Sequence, residues 1–184
     1  LTPDEKRGLI PSYISTRGEL NREEQRNIAQ GEIWAYARMR DILDIDTLKR
    51  LHKEMLKEVW EWAGEFSRQY DRPIGVDTNL IEIRLRELLD NVKYWVAHGS
   101  FPRDEIAARF HQGLTWIHPF PNGNGRHSRI ATDMLLRQLG GEPFSWGRGN
   151  LREASELRRA YVSALRKADN HDFIDLVAFA RGGP

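Results

Sequence analysis

A short run near the middle of the chain brings a histidine, two glycines and two arginines together at close spacing. It reads His118-Pro119-Phe120-Pro121-Asn122-Gly123-Asn124-Gly125-Arg126-His127-Ser128-Arg129. Histidine can take up a proton near neutral pH, glycine lets an anion approach the backbone, and arginine binds phosphate with paired hydrogen bonds. These residue types predict a site that binds phosphate groups and acts on them.

The glycines of this run stand where a helix should begin. Backbone N–H groups in the first turn of a helix lack intrahelical acceptors, and the helix dipole adds positive charge there, so phosphate binds well at such a point. Gly123 and Gly125 allow close approach, while the Asn124 amide can add a donor or orient the loop. Arg126 and Arg129 follow three residues apart on one helix face, which suits successive phosphates of a nucleotide tail.

His118 precedes the turn and is predicted to be the base that deprotonates an attacking hydroxyl. Taken singly, these features have plain structural explanations. A histidine before proline, a Gly-Asn-Gly turn and a pair of arginines are each more often structural than functional. Their combination at this spacing favours the functional interpretation.

Amphipathic segments flank the run and predict the helices that position it. A core helix is predicted over residues 104–117, because apolar residues recur there at helical spacing. A second is predicted over residues 123–139, ended by Gly140, Gly141 and Pro143. Similar patterns predict further helices over residues 23–43, 46–60, 78–98, 151–167 and 171–180. An all-α bundle is therefore expected, with a short extended hairpin over residues 64–77, where Gly, Pro and Asp interrupt the pattern.

Composition limits the function classes. With 184 residues the chain is predicted to form one domain, and its 28 basic and 27 acidic side chains leave a net charge of +1. This balance gives no reason to expect nucleic acid or an anionic membrane as a partner. The absence of cysteine excludes disulfides, thiolate metal sites and a cysteine nucleophile. No apolar run is long enough to cross a membrane and the first residues do not resemble a signal peptide, so the chain is expected to be cytoplasmic.

The central run resembles the signature of the Fic (Fido) domain family, His-x-Phe-x-x-Gly-Asn-Gly-Arg-x-x-Arg. Residues 51–66, which include Trp62-Ala63-Gly64, are similar to the family's preceding helix and its Trp-Ala-Gly turn, and the hairpin after them is similar to its substrate-docking flap. The resemblance covers about residues 43–180 as a Fic core, preceded by an N-terminal segment over residues 1–42. It implies a Fic-type helical bundle with a short β-hairpin flap beside the active site.

The resemblance implies an adenylyltransferase that moves AMP from ATP, with Mg²⁺, onto a Ser, Thr or Tyr hydroxyl of a target protein. His118 is then the base, and the amides around Gly123, Asn124 and Gly125 hold the α-phosphate. Arg126 and Arg129 bind the β- and γ-phosphates.

Three other parts of the chain match the family more loosely. Phe120 would anchor the signature loop in the core. Tyr161 resembles the family's late aromatic residue near the nucleotide base, although a tyrosine on an amphipathic helix is more often a core residue. The flap residues Ile74, Gly75 and Val76 would pair with an extended segment of the target, or merely cover the core.

One position departs from the family pattern. Adenylyltransferases of the family usually carry Asp or Glu directly before the first glycine of the signature, where the carboxylate helps to hold Mg²⁺, whereas this chain has Asn122. An amide oxygen can bind Mg²⁺ but compensates less charge. The substitution therefore predicts slow activity or an altered choice of metal. Relatives that phosphorylate also carry Asn here, but they lack the intact Gly-Asn-Gly-Arg, which favours AMP transfer.

An N-terminal stretch resembles the inhibitory motif of self-restrained Fic proteins, a Ser or Thr four residues before a Glu. Ser15 and Glu19 match it, whereas Leu20 departs from the Gly or Asn that usually follows. The resemblance implies that Glu19 pairs with Arg129 and blocks the γ-phosphate. The alternative is local: Ser15 caps a helix and Glu19 or Glu24 supplies its first-turn charge.

Two other function classes remain open from the sequence. The same site can transfer another nucleotide or phosphate-containing group, or remove AMP from a modified protein. Alternatively, the chain is a weakly active regulatory module of the toxin–antitoxin type. Its overall look is also similar to the bacterial Fic proteins called mobile mystery protein B, which implies a helix-turn-helix protein as partner, besides a target protein or self-modification.

Overall fold

The computed structural model describes residue 1 and residues 6–68, 73–148 and 156–182. Within these ranges every predicted helix is present, so the all-α class is confirmed. The helices are α1 (Arg17–Tyr36), α2 (Ile45–Leu56), α3 (Ile81–His98), α4 (Arg103–Ile117), α5 (Asn124–Gln138), α6 (Glu156–Ala168) and α7 (Ile174–Arg181). Short 3₁₀ turns precede α3 at Thr78–Leu80 and follow α5 at Trp146–Arg148.

The helices pack in sequential pairs: α1 on α2, α3 on α4, α4 on α5 and α6 on α7. A large apolar cluster joins α1 to α5, and a second cluster joins α4 and α5 to α6 and α7. Helix α4 contributes to both clusters, which places its C-terminal end at the centre of the molecule. Gly31 lets α1 approach α2 closely, because a Cβ atom there would lie 2.7 Å from the Met55 Cα.

Helix α1 begins and ends earlier than the pattern over residues 23–43 predicted. Thr16 is its N-cap and forms a capping box with Glu19, so the first turn forms upstream of the apolar pattern. At the other end, the Arg40 guanidinium donates to the Trp34 carbonyl at 2.7 Å, which satisfies one of the last acceptors of the helix. Local capping chemistry therefore overrode apolar periodicity at both ends.

The flap expected as a β-hairpin over residues 64–77 has no assigned strand in its described parts, residues 64–68 and 73–77. Each arm instead donates a backbone hydrogen bond to the segment before the signature loop. The Ser67 N–H donates to Pro119 at 2.8 Å and the Val76 N–H donates to Ile117 at 3.3 Å. The flap is thereby attached to the end of α4.

No helix in the described part of the chain is both long and apolar enough to cross a membrane.

Candidate active site

His118 ends α4 in an unusual backbone conformation. It is the C-cap residue, with φ 54° and ψ 58°, and its N–H donates to the Leu114 carbonyl at 3.0 Å. This left-handed region favours glycine, so a histidine there carries backbone strain. The chain turns sharply at this point, and His118 lies in the wall of a cavity. The structure therefore places the predicted base at the mouth of the signature loop.

The signature loop is held from within by Asn124. Its side-chain oxygen accepts from the Phe120 N–H at 2.9 Å, and its side-chain nitrogen donates to the Phe120 carbonyl at 2.7 Å. Asn124 is buried. Of the two roles considered for this amide, the structure supports orienting the loop rather than donating to a ligand. Phe120 is fully buried, which agrees with the predicted anchor.

Helix α5 begins directly after Gly123, which adopts φ 79° and ψ 0°. A side chain at Gly123 would be strained in this conformation, and its Cβ would lie 3.0 Å from Leu56. No side chain caps the helix at this end. The first-turn amides at Asn124 and Gly125 therefore present a positive end to the cavity that these residues line.

The cavity has a volume of about 470 Å³ and brings most of the predicted residues together. A volume in this range suits a bound small molecule. Arg126 and Arg129 line it from α5, and Tyr161 lines it from α6. Arg158, one turn before Tyr161, is a further arginine in the wall that sequence reasoning did not single out. The cavity thus combines a histidine, a helix start and three arginines, which is an anion-binding arrangement.

Glu24 of α1 is the carboxylate that meets this anion site. It is 2% exposed, and its Oε2 accepts from both terminal nitrogens of Arg126 at 3.2 Å each. Its Oε1 accepts from the Trp60 indole at 3.0 Å and lies 3.4 Å from the Asn122 amide nitrogen. Ion pairs made in such a shielded place are much stronger than surface pairs. The carboxylate therefore occupies the place where Arg126 would meet phosphate.

Glu19, the predicted inhibitory residue, lies elsewhere. Its Oε2 accepts from the Ser15 N–H and the Thr16 N–H at 2.9 Å each, and from the Ser15 hydroxyl at 3.1 Å. These hydrogen bonds lower the pKa of Glu19 from 4.5 to about 2. Neither Ser15 nor Glu19 lines the cavity, and none of the contacts of Glu19 reaches Arg129. The local alternative is the one that the structure supports, and the buried carboxylate on α1 pairs with Arg126, not with Arg129.

Asn122, the predicted metal ligand, has its side chain engaged within the loop. Its amide oxygen accepts from the Gly123 N–H at 2.7 Å, and its amide nitrogen faces Glu24. No group of three His, Asp or Glu side chains in the described residues could hold a metal ion. The protein therefore offers Mg²⁺ at most a neutral oxygen and a nearby carboxylate, which fits a metal carried mainly by the phosphates of a nucleotide.

His52 is a residue that sequence reasoning did not place in the site. Its Nδ1 accepts from the Gly64 N–H at 2.9 Å, so Nε2 carries the proton and donates to the Asn122 carbonyl at 3.0 Å. The ring stacks on Phe120 with the ring centroids 3.8 Å apart. His52 therefore joins the start of the flap to the signature loop. A signal existed: the ring falls on the apolar face of α2, in register with Leu48, Leu51 and Met55.

The flap residues are only partly at the cavity. Ile74 lines it and is 59% exposed, and Gly75 follows with φ 99°. Val76 is tied to the end of α4 by its backbone N–H. Of the three predicted flap residues, Ile74 is thus the one that faces a bound molecule.

Three buried histidines make the fold sensitive to acid. Burial is the main cause that lowers the pKa of His52 and His111 from 6.5 to about 3 and that of His127 from 6.5 to about 4. In the unfolded chain these rings titrate near 6.5, so the unfolded state takes up protons first as the pH falls. Stability from the neutral rings is full above the unfolded pKa and is lost as the pH falls below it.

We expect the free energy of unfolding to drop by about 2 kcal/mol for each buried histidine between pH 7.5 and pH 5. Burial also raises the pKa of Asp133 to about 7, and this group acts in the opposite direction, because its folded state binds the proton more tightly. Urea denaturation of Asp133→Asn should therefore show a larger loss between the two pH values than the original chain. A stability of this variant that stays constant from pH 7.5 to pH 5 would contradict neutral buried rings.

Comparisons with known proteins agree with this geometry. The sequence model of the Fic/DOC family matches residues 42–136, just over half of the chain and the part from α2 to most of α5. A probable protein adenylyltransferase of Aquifex aeolicus is 36% identical over 73 residues, which are 40% of this chain but 20% of that protein. A probable protein adenylyltransferase of Sinorhizobium fredii is 27% identical over 150 residues, covering 76% of this chain and 72% of that protein.

A solved structure supports the fold over nearly the whole chain. The structure of the BepC protein of Bartonella tribocorum, a VirB-translocated effector with bound AMPPNP, superposes with a TM-score of 0.71. The match covers 96% of this chain and 95% of that one at 16% sequence identity. Identity at this level establishes a shared fold, which here is the helical bundle that the sequence resemblance implied.

Proposed function

Because the chain belongs to the Fic/DOC family, we propose that it transfers AMP from ATP to a hydroxyl group of a target protein. The observation that carries the proposal is the convergence of His118, the start of α5 and Arg126 with Arg129 on one cavity. The curated relatives named as probable adenylyltransferases support the same activity. The bound AMPPNP in the BepC structure supports ATP as the nucleotide.

In the proposed reaction His118 accepts the proton of a Ser, Thr or Tyr hydroxyl of the target. The hydroxyl oxygen forms a bond to the α-phosphorus, and the bond from that phosphorus to the β-phosphate oxygen breaks, so pyrophosphate leaves. The first-turn amides around Gly123 and Gly125 would hold the non-bridging α-phosphate oxygens as charge develops. Arg126 and Arg129 would bind the departing phosphates, with Arg158 as a further positive group.

Mg²⁺ would neutralise charge on the phosphates and orient them. Asn122 and Glu24 are the protein side chains nearest to such an ion's place beside the loop. Because only one of these is a carboxylate, and it is engaged with Arg126, nucleotide phosphates would supply most of the oxygen ligands.

The proposed function includes self-inhibition by Glu24. Its carboxylate accepts both hydrogen bonds that Arg126 would otherwise give to a phosphate, and Trp60 and Asn122 hold it in that position. Phosphate must displace a buried carboxylate to reach the guanidinium, which lowers its apparent affinity. Glu24 thereby takes the role that the sequence resemblance gave to Glu19.

The flap is proposed to position the target. Ile74 lines the cavity beside the nucleotide site, and the flap is fixed to the end of α4 next to His118. A target segment lying along the flap would therefore bring its hydroxyl close to the base. The identity of the target, self-modification and a helix-turn-helix partner stay predictions of the sequence resemblance.

Position-specific labels of ATP test the proposed reaction. The chain carrying Glu24→Gly is incubated with a protein extract and Mg²⁺, in parallel with ATP labelled on the α-phosphate and ATP labelled on the γ-phosphate. AMP transfer predicts protein labelling by the α-label only, because the γ-phosphate leaves with pyrophosphate. Labelling by the γ-label would mean phosphorylation, and labelling by neither would contradict transfer from ATP.

A further inference from the structure

A polar chain runs from the second apolar cluster to the cavity through His111, Tyr161 and Arg129. His111 lies on α4 two turns before His118 and is fully buried. Its Nε2 is 2.7 Å from the Tyr161 hydroxyl, and both Tyr161 and Arg129 line the cavity. We propose that His111 and Tyr161 are positioning residues that hold the Arg129 guanidinium in place for the phosphates of the nucleotide. This inference rests on the proposed function, because it takes Arg129 to bind those phosphates.

The donors and acceptors give this chain a direction. A guanidinium can only donate, so the Tyr161 oxygen accepts from Arg129, with which it interacts. The hydroxyl proton is then free to point to Nε2 of His111. That arrangement requires a neutral imidazole with its proton on Nδ1. Burial and the nearby charge of Arg129 lower the pKa of His111 to about 3, so the ring is neutral at pH 7.

The other side of the imidazole agrees with this tautomer. Nδ1 is buried and has no hydrogen-bond partner of normal geometry among the described residues. The backbone of Ser128 is the group there that favours a proton on the ring, although its carbonyl already accepts from the Thr132 hydroxyl at 2.7 Å. A proton on Nδ1 therefore faces an oxygen at longer range, and Nε2 is left to accept from Tyr161.

Packing fixes the two rings. The His111 ring lies 4.5 Å from the Trp146 ring, and the Tyr161 ring lies 5.6 Å from the Phe179 ring, measured between centroids. All four side chains belong to the apolar surroundings of α4, α6 and α7. Because a polar link within such a cluster is costly to break, the hydroxyl has one stable orientation, directed by the imidazole.

Arg129 needs this support because other acceptors compete for it. Its charge opposes the rise in pKa that burial causes at Glu32 and at Asp133, so both carboxyl groups lie within its electrostatic range. A guanidinium without a fixed partner would turn toward either carboxylate and away from a phosphate. The Tyr161 oxygen holds it without cancelling its charge, which leaves that charge available to the nucleotide.

Calorimetric titration of the whole chain with ATP and with AMP tests the relay. Tyr161→Phe removes only the hydroxyl, and we expect it to weaken ATP binding about tenfold, as for the loss of a hydrogen bond to a charged group, with AMP binding unchanged. His111→Leu should match it, whereas His111→Gln, which keeps an acceptor near Nε2, should retain most of the affinity. Tyr94→Phe removes an exposed hydroxyl on α3 and serves as the matched control.

Two results would overturn the relay. One is a Tyr161→Phe effect that persists at full size in an Arg129→Ala background, since a relay acting through Arg129 predicts no further loss there. The other comes from ¹⁵N NMR of the imidazoles: a protonated His111 at pH 6, or a neutral ring with its proton on Nε2. The NMR signature does not depend on nucleotide, so failure of ATP to bind the chain would count against the proposed function while the tautomer still decides the relay.

Discussion

Glu24→Gly is expected to tighten ATP binding and to raise AMP transfer by about 10- to 100-fold. The carboxylate accepts two hydrogen bonds from Arg126 in a place where it is 2% exposed. Charge-assisted hydrogen bonds of this kind contribute about 1.5–3 kcal/mol, and each 1.4 kcal/mol is a factor of ten in affinity. Removing the carboxylate frees the guanidinium for a phosphate.

Two further variants separate the charge from its surroundings. Glu24→Gln keeps the shape of the side chain and an acceptor for the Trp60 indole but removes the charge, so it should reproduce most of the gain. Glu19→Gly removes an exposed carboxylate of the same helix that contacts only Ser15 and Thr16, and it should leave ATP affinity unchanged. Titration calorimetry checks all three. A gain in Glu19→Gly with none in Glu24→Gly would contradict the assignment.

His118→Ala is expected to lower the rate of AMP transfer by about 10²–10⁴-fold, the usual contribution of a positioned acid or base. The residue lies in the cavity wall at the turn between α4 and the signature loop. Because Arg126, Arg129 and the start of α5 bind the phosphates, the affinity for ATP should stay within a few-fold. The rate is measured in the Glu24→Gly background, where transfer is fastest.

His98→Ala is the matched control for that loss. This histidine is exposed on α3, far along the chain from the cavity, and its removal should change neither rate nor affinity. Equal activity of His118→Ala and His98→Ala would mean that another group takes the hydroxyl proton. A His118→Ala variant that no longer binds ATP would instead assign the imidazole to phosphate binding.

The local parts of the site could be predicted from the sequence because local chemistry fixes them. The apolar stripes fixed α4 and α5, and Gly123 between them fixed the start of a helix that faces the cavity. His118, Arg126 and Arg129 follow from the same short run, so their convergence needed no distant contact. These residues lie within 12 positions of the chain.

The inhibitory carboxylate could not be predicted in this way. Ser15, Thr16 and Glu19 fit both an inhibitory pattern and a capping box, and the capping box forms whatever lies nearby. Glu24 looks like ordinary surface charge in the sequence, because nothing local marks a buried carboxylate. Its role depends on the docking of α1 against Arg126, a contact between residues 102 positions apart.

The buried histidines illustrate the same limit. His52 and His111 fall on apolar helix faces, which marks them as buried but does not name their partners. Those partners are Asn122, 70 positions from His52, and Tyr161, 50 positions from His111. Tertiary packing therefore decides which polar groups support the signature loop and the arginines behind it.

Intact-protein mass spectrometry after incubation with ATP and Mg²⁺ tests the central claim most directly. It compares the original chain, Glu24→Gly, and Glu24→Gly combined with His118→Ala, each mixed with a protein extract whose labelled products are also analysed. We expect proteins that gain the mass of one AMP with Glu24→Gly, few with the original chain and none with the double variant. Equal AMP addition by the single and the double variant, or none by Glu24→Gly although ATP binds, would contradict AMP transfer catalysed by His118.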